Sequence, residues 1–338
     1  MNLRELSQLL GLSQTTVSRA LNGFPEVSKE TRARVQQAAL QHGYHPNRAA
    51  AGLATGRTGA IGIVYNNTSN FGPHTSEFLG GLSRRLQKNG MDILITSVSS
   101  EAEEIAAYRR LAASKQVDAI VLHSPSQEDD RIALLQDLGL PFILHGRVAD
   151  PSTIAYMDID NMGAIRQATT YLLDLGHQRI AIVNGFLGRT FADHRAQGYA
   201  EALAERGLAV DPALSGNGEF TDDAGFRFMK GFLALPDPPT AVLAGSMMSA
   251  LGAMRAIRTA GLQVGKDVSL IAHDDVFPYI NAENMVPTLS TTRSSIGAAG
   301  THIGEMLVQL LAGTPVTELQ DVWPVDLVVR ASTAARRT

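Results

Sequence analysis

The apolar positions of this chain follow a helical period over the first 43 residues and break into short continuous runs after residue 60. Leu3, Leu6, Leu9 and Leu10 form the stripe of a short helix that Gly11 ends, and Ser13 is a good N-cap for a second helix whose inner face is Val17, Ala20 and Leu21. Val27 and Ser28 open a third helix capped by Ser28, with Val35, Ala38 and Ala39 as its buried stripe and Gly43 after its end. Residues 44–58 lose the stripe, because Pro46 cannot continue the preceding helix. Asn47 can cap a new one, but Asn47 to Ala54 is only about two turns long and should be marginal in isolation.

Beyond Thr58, the runs Ile61–Val64, Ile93–Ile95, Ala119–Leu122, Phe142–Leu144, Ile180–Val183, Ala241–Ala244 and Val268–Ile271 read as buried strands. Helices are predicted between them, near 74–89, 101–114, 128–138, 161–175, 190–206, 222–234, 246–260 and 294–312. Continuous apolar strands alternating with helices imply parallel sheets covered on both faces. The succession predicts an α/β body of two doubly wound units in tandem, joined near Asp158-Ile-Asp160, with no sequence repeat between them.

Composition narrows the reading. At 338 residues, 44% hydrophobic and 18% charged, this is an ordinary globular chain with room for two or so domains. It has no cysteine, hence no disulfide, thiolate metal site or cysteine nucleophile. The start lacks the apolar run of a signal peptide, and no stretch of about 18 apolar residues could span a membrane, so a cytoplasmic location without membrane association is expected. The overall charge of −4 hides a division. Residues 1–60 carry seven basic against three acidic side chains (+4), and the rest 22 against 30 (−8). A basic head on an acidic body suggests that the head alone meets a polyanion.

Two short helices joined by a glycine turn make a helix-turn-helix, whose second helix enters the DNA major groove. Its outer residues are Gln14, Thr15, Ser18 and Arg19, all able to hydrogen-bond and none acidic. Gln pairs bidentately with adenine, and Arg does so with guanine or clasps a phosphate. The bland alternative is a helical hairpin with a solvated polar face.

Six segments tip the balance: LSQTTVSRALN, VSKETRARV, GYHPNRAAAGLATGRTGAIGIV, LGHQRIAIVNG, DVSLIAHDD and LVVRAST. In these, and in their order, the chain resembles the LacI-type (lactose-repressor/galactose-repressor) family of bacterial transcription regulators. The resemblance implies an all-α helix-turn-helix head (1–45), a hinge helix or linker (46–58) and a two-lobed, periplasmic-binding-protein-like effector-binding and dimerisation body (59–338). The first lobe would hold about 59–158 and 292–320 and the second about 161–289 and 321–331, with crossings near 158–161, 289–293 and 319–322. It also implies a hinge that folds on operator DNA, packs against its dimer mate and pushes Leu53 into the minor groove. An apolar wedge of this kind kinks the duplex. The alternative makes Leu53 the buried residue of a linker turn. Gly52 weakens such a helix by roughly 1 kcal/mol relative to Ala, which would make its folding more dependent on DNA. The candidate DNA contacts are Leu3, Ser13, Gln14, Thr15, Ser18, Arg19, Asn22, Ser28, Thr31, Asn47, Ala50 and Leu53.

In open α/β sheets, ligands bind beyond the carboxyl ends of the strands. That rule selects the loop holding Phe71, His74 and Thr75, then Ser124, His145 and Arg147, and from the second unit Arg195, Phe220, Ser246 and His273-Asp274-Asp275. The resemblance singles out Arg195, Ser246 and Asp274 from the second lobe, and Arg147 and His74 from the first. A carboxylate and arginines against vicinal hydroxyls, with Phe71 or Phe220 as an apolar platform, would suit a sugar. Asp275 could instead cap a loop, Phe220 could belong to the core, and His145 and His273 could be satisfied strand-end residues. The family usually has Asn-Asp where this chain has Ser246-Met247, and Asn-Pro-Phe-Phe where it has Gly72-Pro73-His74-Thr75, so the effector cannot be copied from a relative.

No phosphate-binding loop, dinucleotide fingerprint, zinc-protease motif or nucleophile elbow is present, and Asp274-Asp275 alone define no acid/base pair. No enzyme activity, cofactor or metal is expected. The expected function is a sequence-specific regulator, a repressor of carbohydrate-utilisation genes controlled by a sugar-like effector. The rival is the solute-binding protein of a sugar transporter, whose body would read alike. One helix-turn-helix makes too few contacts for specific binding, so a homodimer on a palindromic, double-stranded operator is expected. After Arg330 only ASTAARRT remains, too short for a heptad-bearing tetramerisation helix.

Overall fold

The computed structural model describes residues 1–21, 23–44, 57–66, 72–274 and 276–336, with the backbone alone at Asp274. The head is three helices, α1 (Leu3–Leu10), α2 (Gln14–Leu21) and α3 (Lys29–Gln41). Asn2 and Glu5 close a reciprocal capping box on α1, and Gly11, at φ 64°, ends it in the left-handed conformation that glycine adopts without strain. The Ser13 hydroxyl accepts from the Thr16 amide at 3.1 Å, and Ser28 caps α3 in the same way on Thr31. Leu6, Val17, Ala20, Val35, Ala38 and Ala39 make the core. Leu9 departs from the expected stripe and is 54% exposed. With Leu6 pointing inward, the helical period turns Leu9 to one flank and Leu10 to the other, and only the Leu10 flank meets α3. The Arg34 guanidinium donates to the Leu10 carbonyl at 2.7 Å, supplying the partner that a helix end lacks.

The body begins with β1 (Ala60–Asn66), α4 (Pro73–Gln87), β2 (Asp92–Val98), α5 (Glu101–Ala113) and β3 (Ala119–His123). It continues through α6 (Asp130–Asp137), β4 (Phe142–His145) and β5 (Tyr156–Ile159). The second lobe follows as α7 (Asn161–Asp174), β6 (Ile180–Asn184), α8 (Thr190–Ala204), β7 (Ser215–Asn217) and α9 (Asp222–Leu233). Then come β8 (Ala241–Ala244), α10 (Met247–Thr259), β9 (Ser269–Asp274) and β10 (Ser290–Arg293). The chain returns to the first lobe for α11 (Ile296–Leu311) and β11 (Gln320–Trp323), and ends in the second with β12 (Asp326–Val328). The strand orders are β11-β5-β4-β3-β1-β2 and β12-β10-β9-β8-β6-β7. Every pairing is parallel except β10 with β12.

Helices cover both faces of each sheet, giving two apolar clusters per lobe. The strands that hydropathy misses are β5, β7, β10, β11 and β12. They are short, polar and near the sheet edges or the crossings, where a strand has no need to be apolar on both faces. Two crossings also fall later than expected. Because β10 pairs with β9, the second crossing lies between Arg293 and Ile296, and because β11 pairs with β5, the third lies between Trp323 and Asp326.

α11 crosses α4 at backbone contact. A Cβ on Gly81 would stand 1.9 Å from the Gly297 carbonyl oxygen, and one on Gly300 2.2 Å from that of Phe78. Two further contacts tie the end of the linker to this lobe. The Asp118 carboxylate accepts from the Thr58 amide (2.7 Å) and hydroxyl (3.0 Å) and from the Gly59 amide (2.8 Å), while Arg57 donates to the carbonyl of Leu311, the last residue of α11. The opposing carbonyl is backbone and cannot rotate away, so Gly81→Ala is expected to lower stability by about 1–3 kcal/mol. Urea unfolding of the two proteins measures it, and equal midpoints would mean that the helices separate without penalty.

Candidate DNA-reading face and inter-lobe cleft

On the head, Gln14, Thr15 and Arg19 are exposed along α2, as a groove-reading face requires. Ser18 is half-buried, and Leu3 packs against the head core. The hydroxyls of Ser13 and Ser28 are engaged as helix caps, and each also meets a threonine hydroxyl, Thr16 at 2.8 Å and Thr31 at 2.9 Å. Asn22, Asn47, Ala50, Leu53, Phe71 and Asp275 lie outside the described residues, as do residues 46–56 of the hinge expected over 46–58.

The first-lobe wall of the cleft is aromatic. His145 stacks on Phe78 with ring centroids 4.6 Å apart, and His123 meets Phe78 edge-on at 4.5 Å. The Nδ1 atoms of His123 and His145 lie 3.0 Å apart, and the Tyr65 hydroxyl lies 3.3 Å from His123 Nε2. A proton between the two Nδ1 atoms can sit on only one of them. Burial, then the neighbouring His145 and Arg131, hold the His123 pKa well below the usual histidine value, so His123 is neutral at pH 7. Behind it, Arg131 is fixed by Asp129 and Glu104 and donates to the His123 carbonyl at 3.2 Å. His74, in the first turn of α4, reaches toward the second lobe, with its ring 5.0 Å from Phe277 and 6.0 Å from Phe220. Thr75 is half-buried beside it and hydrogen-bonds with Tyr65.

From the second lobe, Arg195 on α8 is 5% exposed and lies over the rings of Phe191 and Phe220, 5.4 and 5.8 Å from their centroids. Phe220 is thus half-buried at the cleft and not closed within the core. Arg195 Nε donates to Asn161 Oδ1 (2.8 Å) and Nη1 to the Gly245 carbonyl (2.9 Å). Arg147 of the first lobe places Nε 3.2 Å from Asp158 Oδ2. The lobes also touch at the mouth. The amide and hydroxyl of Thr190 both donate to the Pro125 carbonyl at 3.0 Å, and Arg189 donates to that of Ser124 at 3.1 Å. Ser124 offers the second lobe this carbonyl, and its φ of 47° is the left-handed conformation rare for serine.

Two expected contacts take other roles. Ser246 is fully buried, and its hydroxyl accepts from the Ser249 amide and meets the Ser249 hydroxyl, both at 3.1 Å, so it caps α10 and does not line the cleft. Its position one residue before the helix is itself a capping signal. His273 is buried with Nδ1 on Thr292 (3.0 Å) and Nε2 on Ser294 (3.1 Å), the satisfied strand-end alternative. Asp274 ends β9 opposite Arg293 of β10. Sequence reading missed Tyr65, His123, Asp158, Asn161, Thr190 and Phe277. For Asp158 a signal existed, a charged residue inside the strand run Tyr156-Met-Asp-Ile159.

Burial pushes the Asp158 carboxyl from 3.8 up to about 6, against the opposing pull of the Ile159 amide, Arg147 and Arg195. A folded pKa above the unfolded value means that the native state binds the proton more tightly. Stability from this group is therefore present at low pH, falls as pH rises from about 4 to 6, and stays lost above it. By linkage the ionised carboxylate costs on the order of 2–3 kcal/mol at neutral pH. Asp158→Asn should be at least as stable as the parent at pH 7.5, with an advantage smaller at pH 4.5. Urea midpoints at the two pH values test this, and a mutant whose relative stability falls with rising pH would contradict it.

Known proteins agree with this architecture. Residues 2–47 match the model of bacterial regulatory proteins of the lacI family, and residues 169–333 that of the periplasmic binding protein-like domain. The chain is 47% identical to the HTH-type transcriptional regulator AglR of Rhizobium meliloti (strain 1021), over 98% of this chain and 94% of AglR. It is 35% identical to the HTH-type transcriptional regulator RafR of Escherichia coli, over 96% of each. Among solved structures, the complex of the transcriptional regulator CelR with cellobiose superposes with a TM-score of 0.73 at 30% identity, over 98% of this chain and 99% of CelR. The lac repressor dimer bound to operator and the anti-inducer ONPF does so with a TM-score of 0.84 at 28% identity, over 99% of each chain. These relatives are named as transcriptional regulators, and among the described residues no helix is long and apolar enough to cross a membrane. With a matching head, a matching body and one such relative spanning nearly its whole length, the chain belongs to the LacI family of bacterial regulatory proteins, the HTH-type transcriptional regulators.

Proposed function

We propose that this protein is a cytoplasmic, homodimeric repressor of carbohydrate-utilisation genes that binds a palindromic operator and is controlled by a small sugar in the inter-lobe cleft. The observation that carries the reading is the meeting of Arg147 and Arg195, from opposite lobes, on the Asp158–Asn161 crossing, beside the rings of Phe220, His74 and Phe277. Guanidinium donors next to apolar ring faces suit a ligand that alternates hydroxyls with C–H surface. Support comes from CelR, solved with cellobiose, and from the lac repressor, solved as a dimer on its operator. Gln14, Thr15, Ser18 and Arg19 read or clasp the DNA, with Leu53 as the minor-groove wedge. His74, Thr75, His145, Arg147, Arg195, Phe220 and Asp274 surround the effector, with Phe71 as a further contact and the Ser124 backbone at the rim.

Selection of operator sequences from a random duplex pool, followed by a gel-shift assay, tests the head. Arg19→Ala should weaken binding and reduce its salt dependence by about one phosphate contact, leaving the body's unfolding midpoint unchanged. Operator affinity equal to the parent's at several salt concentrations would remove Arg19 from the interface. Thermal-shift screening against mono- and disaccharides, cellobiose included, tests the body. Hydrogen bonds to charged groups are worth roughly 1.5–3 kcal/mol, so Asp274→Asn should weaken the stabilising sugar by about one to two powers of ten while operator binding without sugar stays intact. Unchanged sugar affinity would leave the effector to Arg147 and Arg195. A body that no sugar stabilises would overturn the carbohydrate reading.

A further inference from the structure

Arg147 and Arg195 stand in different lobes, yet one run of side chains joins them through the first crossing. Asp158 Oδ2 faces Arg147 Nε at 3.2 Å, and Oδ1 accepts from the Ile159 amide (2.8 Å) and from Asn161 Nδ2 (3.2 Å). Asn161 Oδ1 then accepts from Arg195 Nε at 2.8 Å. Asp158, Asn161 and Arg195 are all buried, at 5%, 1% and 5% exposure. Oδ2 has no aligned hydrogen bond among the described residues, so the charge of Arg147 is what compensates it. A buried carboxylate held in this way lowers stability relative to an uncharged side chain of the same shape. What it supplies in return is a fixed position for both guanidinium groups.

We propose that Asp158 is a positioning residue for effector recognition, its charge holding Arg147 in the first lobe and, through Asn161, Arg195 in the second, so that the two arginines keep one register across the crossing. The purpose rests on the cleft being the effector site, but the decisive test needs no ligand. The charged groups facing Asp158 are Arg147, from the loop after β4, Arg195 of α8 and Asp160 at the start of α7. His194 of α8 lies near Arg147 and carries a buried Nδ1 without a hydrogen-bond partner among the described residues.

The test is a double-mutant cycle on the full-length protein at pH 7.5. Arg147→Gln and Arg195→Gln are made singly and together, in the parent and in an Asp158→Asn background, and thermal midpoints are recorded. In the parent, the double mutant should depart from the sum of the singles by about 2 °C or more. In the Asp158→Asn background the effects should add. Additivity in both backgrounds overturns the relay, and so does coupling that survives Asp158→Asn, since the arginines would then interact directly. Asn161→Ala supplies a second cut, which should abolish the coupling while leaving the effect of Arg147→Gln in place, and it decides alone if Asp158→Asn fails to fold.

The sole tryptophan reads the charge itself. Trp323 pairs with Ile159, and its carbonyl accepts from the Asp160 amide at 2.8 Å. In a His302→Gln background, which silences the imidazole 5.1 Å from the indole, fluorescence should change with a midpoint near pH 6 and lose that transition with Asp158→Asn. A transition indifferent to Asp158→Asn would remove the carboxylate's charge from the account. With cellobiose as the probe, calorimetry should give about tenfold weaker binding for Asp158→Asn at pH 7.5, the scale of one charge-assisted hydrogen bond. Parent and mutant binding cellobiose equally would overturn the positioning role. A parent that ignores cellobiose counts against that sugar as the effector, and the cycle still decides the relay.

Discussion

A carboxylate kept ionised in a buried crossing is the constraint around which this body is arranged. Asp158 sits in β5, the last strand before the chain leaves the first lobe, and is hemmed in by the lobe it ends and the lobe it introduces. Burial alone would neutralise it, and the raised pKa records that tendency. Arg147, the Ile159 amide and Asn161 offset part of the penalty, and each comes from a segment that meets the cleft or the crossing. Of these, Asn161 also holds Arg195, and the carboxylate it supports holds Arg147. The cost of the charge and the order of the site have one origin.

Such an arrangement would suit a body that, under the proposed function, switches between two lobe angles. At the mouth, Arg189 and Thr190 join the lobes through hydrogen bonds to the Ser124 and Pro125 carbonyls, contacts that a few degrees of rotation would break. At the crossings they are joined by short covalent connections, after β5, after β10 and after β11, which rotation bends but does not break. A ligand bridging the lobes would act on the mouth with the longer lever arm, because β3 and β6, which end there, lie further from the crossings than β5 and β10. It can shift the lobe angle only by the difference between its affinities for the two arrangements.

Much of the fold was legible because its signals were local. Seven apolar runs gave seven strands, six of them inside the sheets, where a parallel strand must be hydrophobic on both faces, and one, β2, at an edge. The head was legible down to its caps, because Ser13 and Ser28 act on the residues next to them in sequence. The losses share one cause, which is dependence on partners distant in sequence. β11 exists only because β5 accepts it, and its own residues, Gln-Asp-Val-Trp, carry no strand signal. Among site residues, the rule about strand ends picked out Arg147, Arg195, His74 and His145 from single positions, yet it could not tell Ser246, which turns back into its helix, from a residue that faces outward. Asp158 and Asn161 were invisible as a pair, because their meaning lies in which arginine each one holds.

The same body also reaches the linker. α11 begins just after the second crossing, packs on α4 at backbone contact, and offers its last carbonyl to Arg57. α4 in turn starts at the cleft, with His74 in its first turn against rings of the second lobe. Glycines at the crossing of these helices leave no side-chain layer that could absorb a displacement, so the two move as one piece. Asp118 pins Thr58 and Gly59 just before the start of β3 in the same lobe. A rotation of the first lobe relative to the second would therefore carry both anchors with it, and under the proposed function this is how the cleft would reach the head, through the position of Arg57 and Thr58.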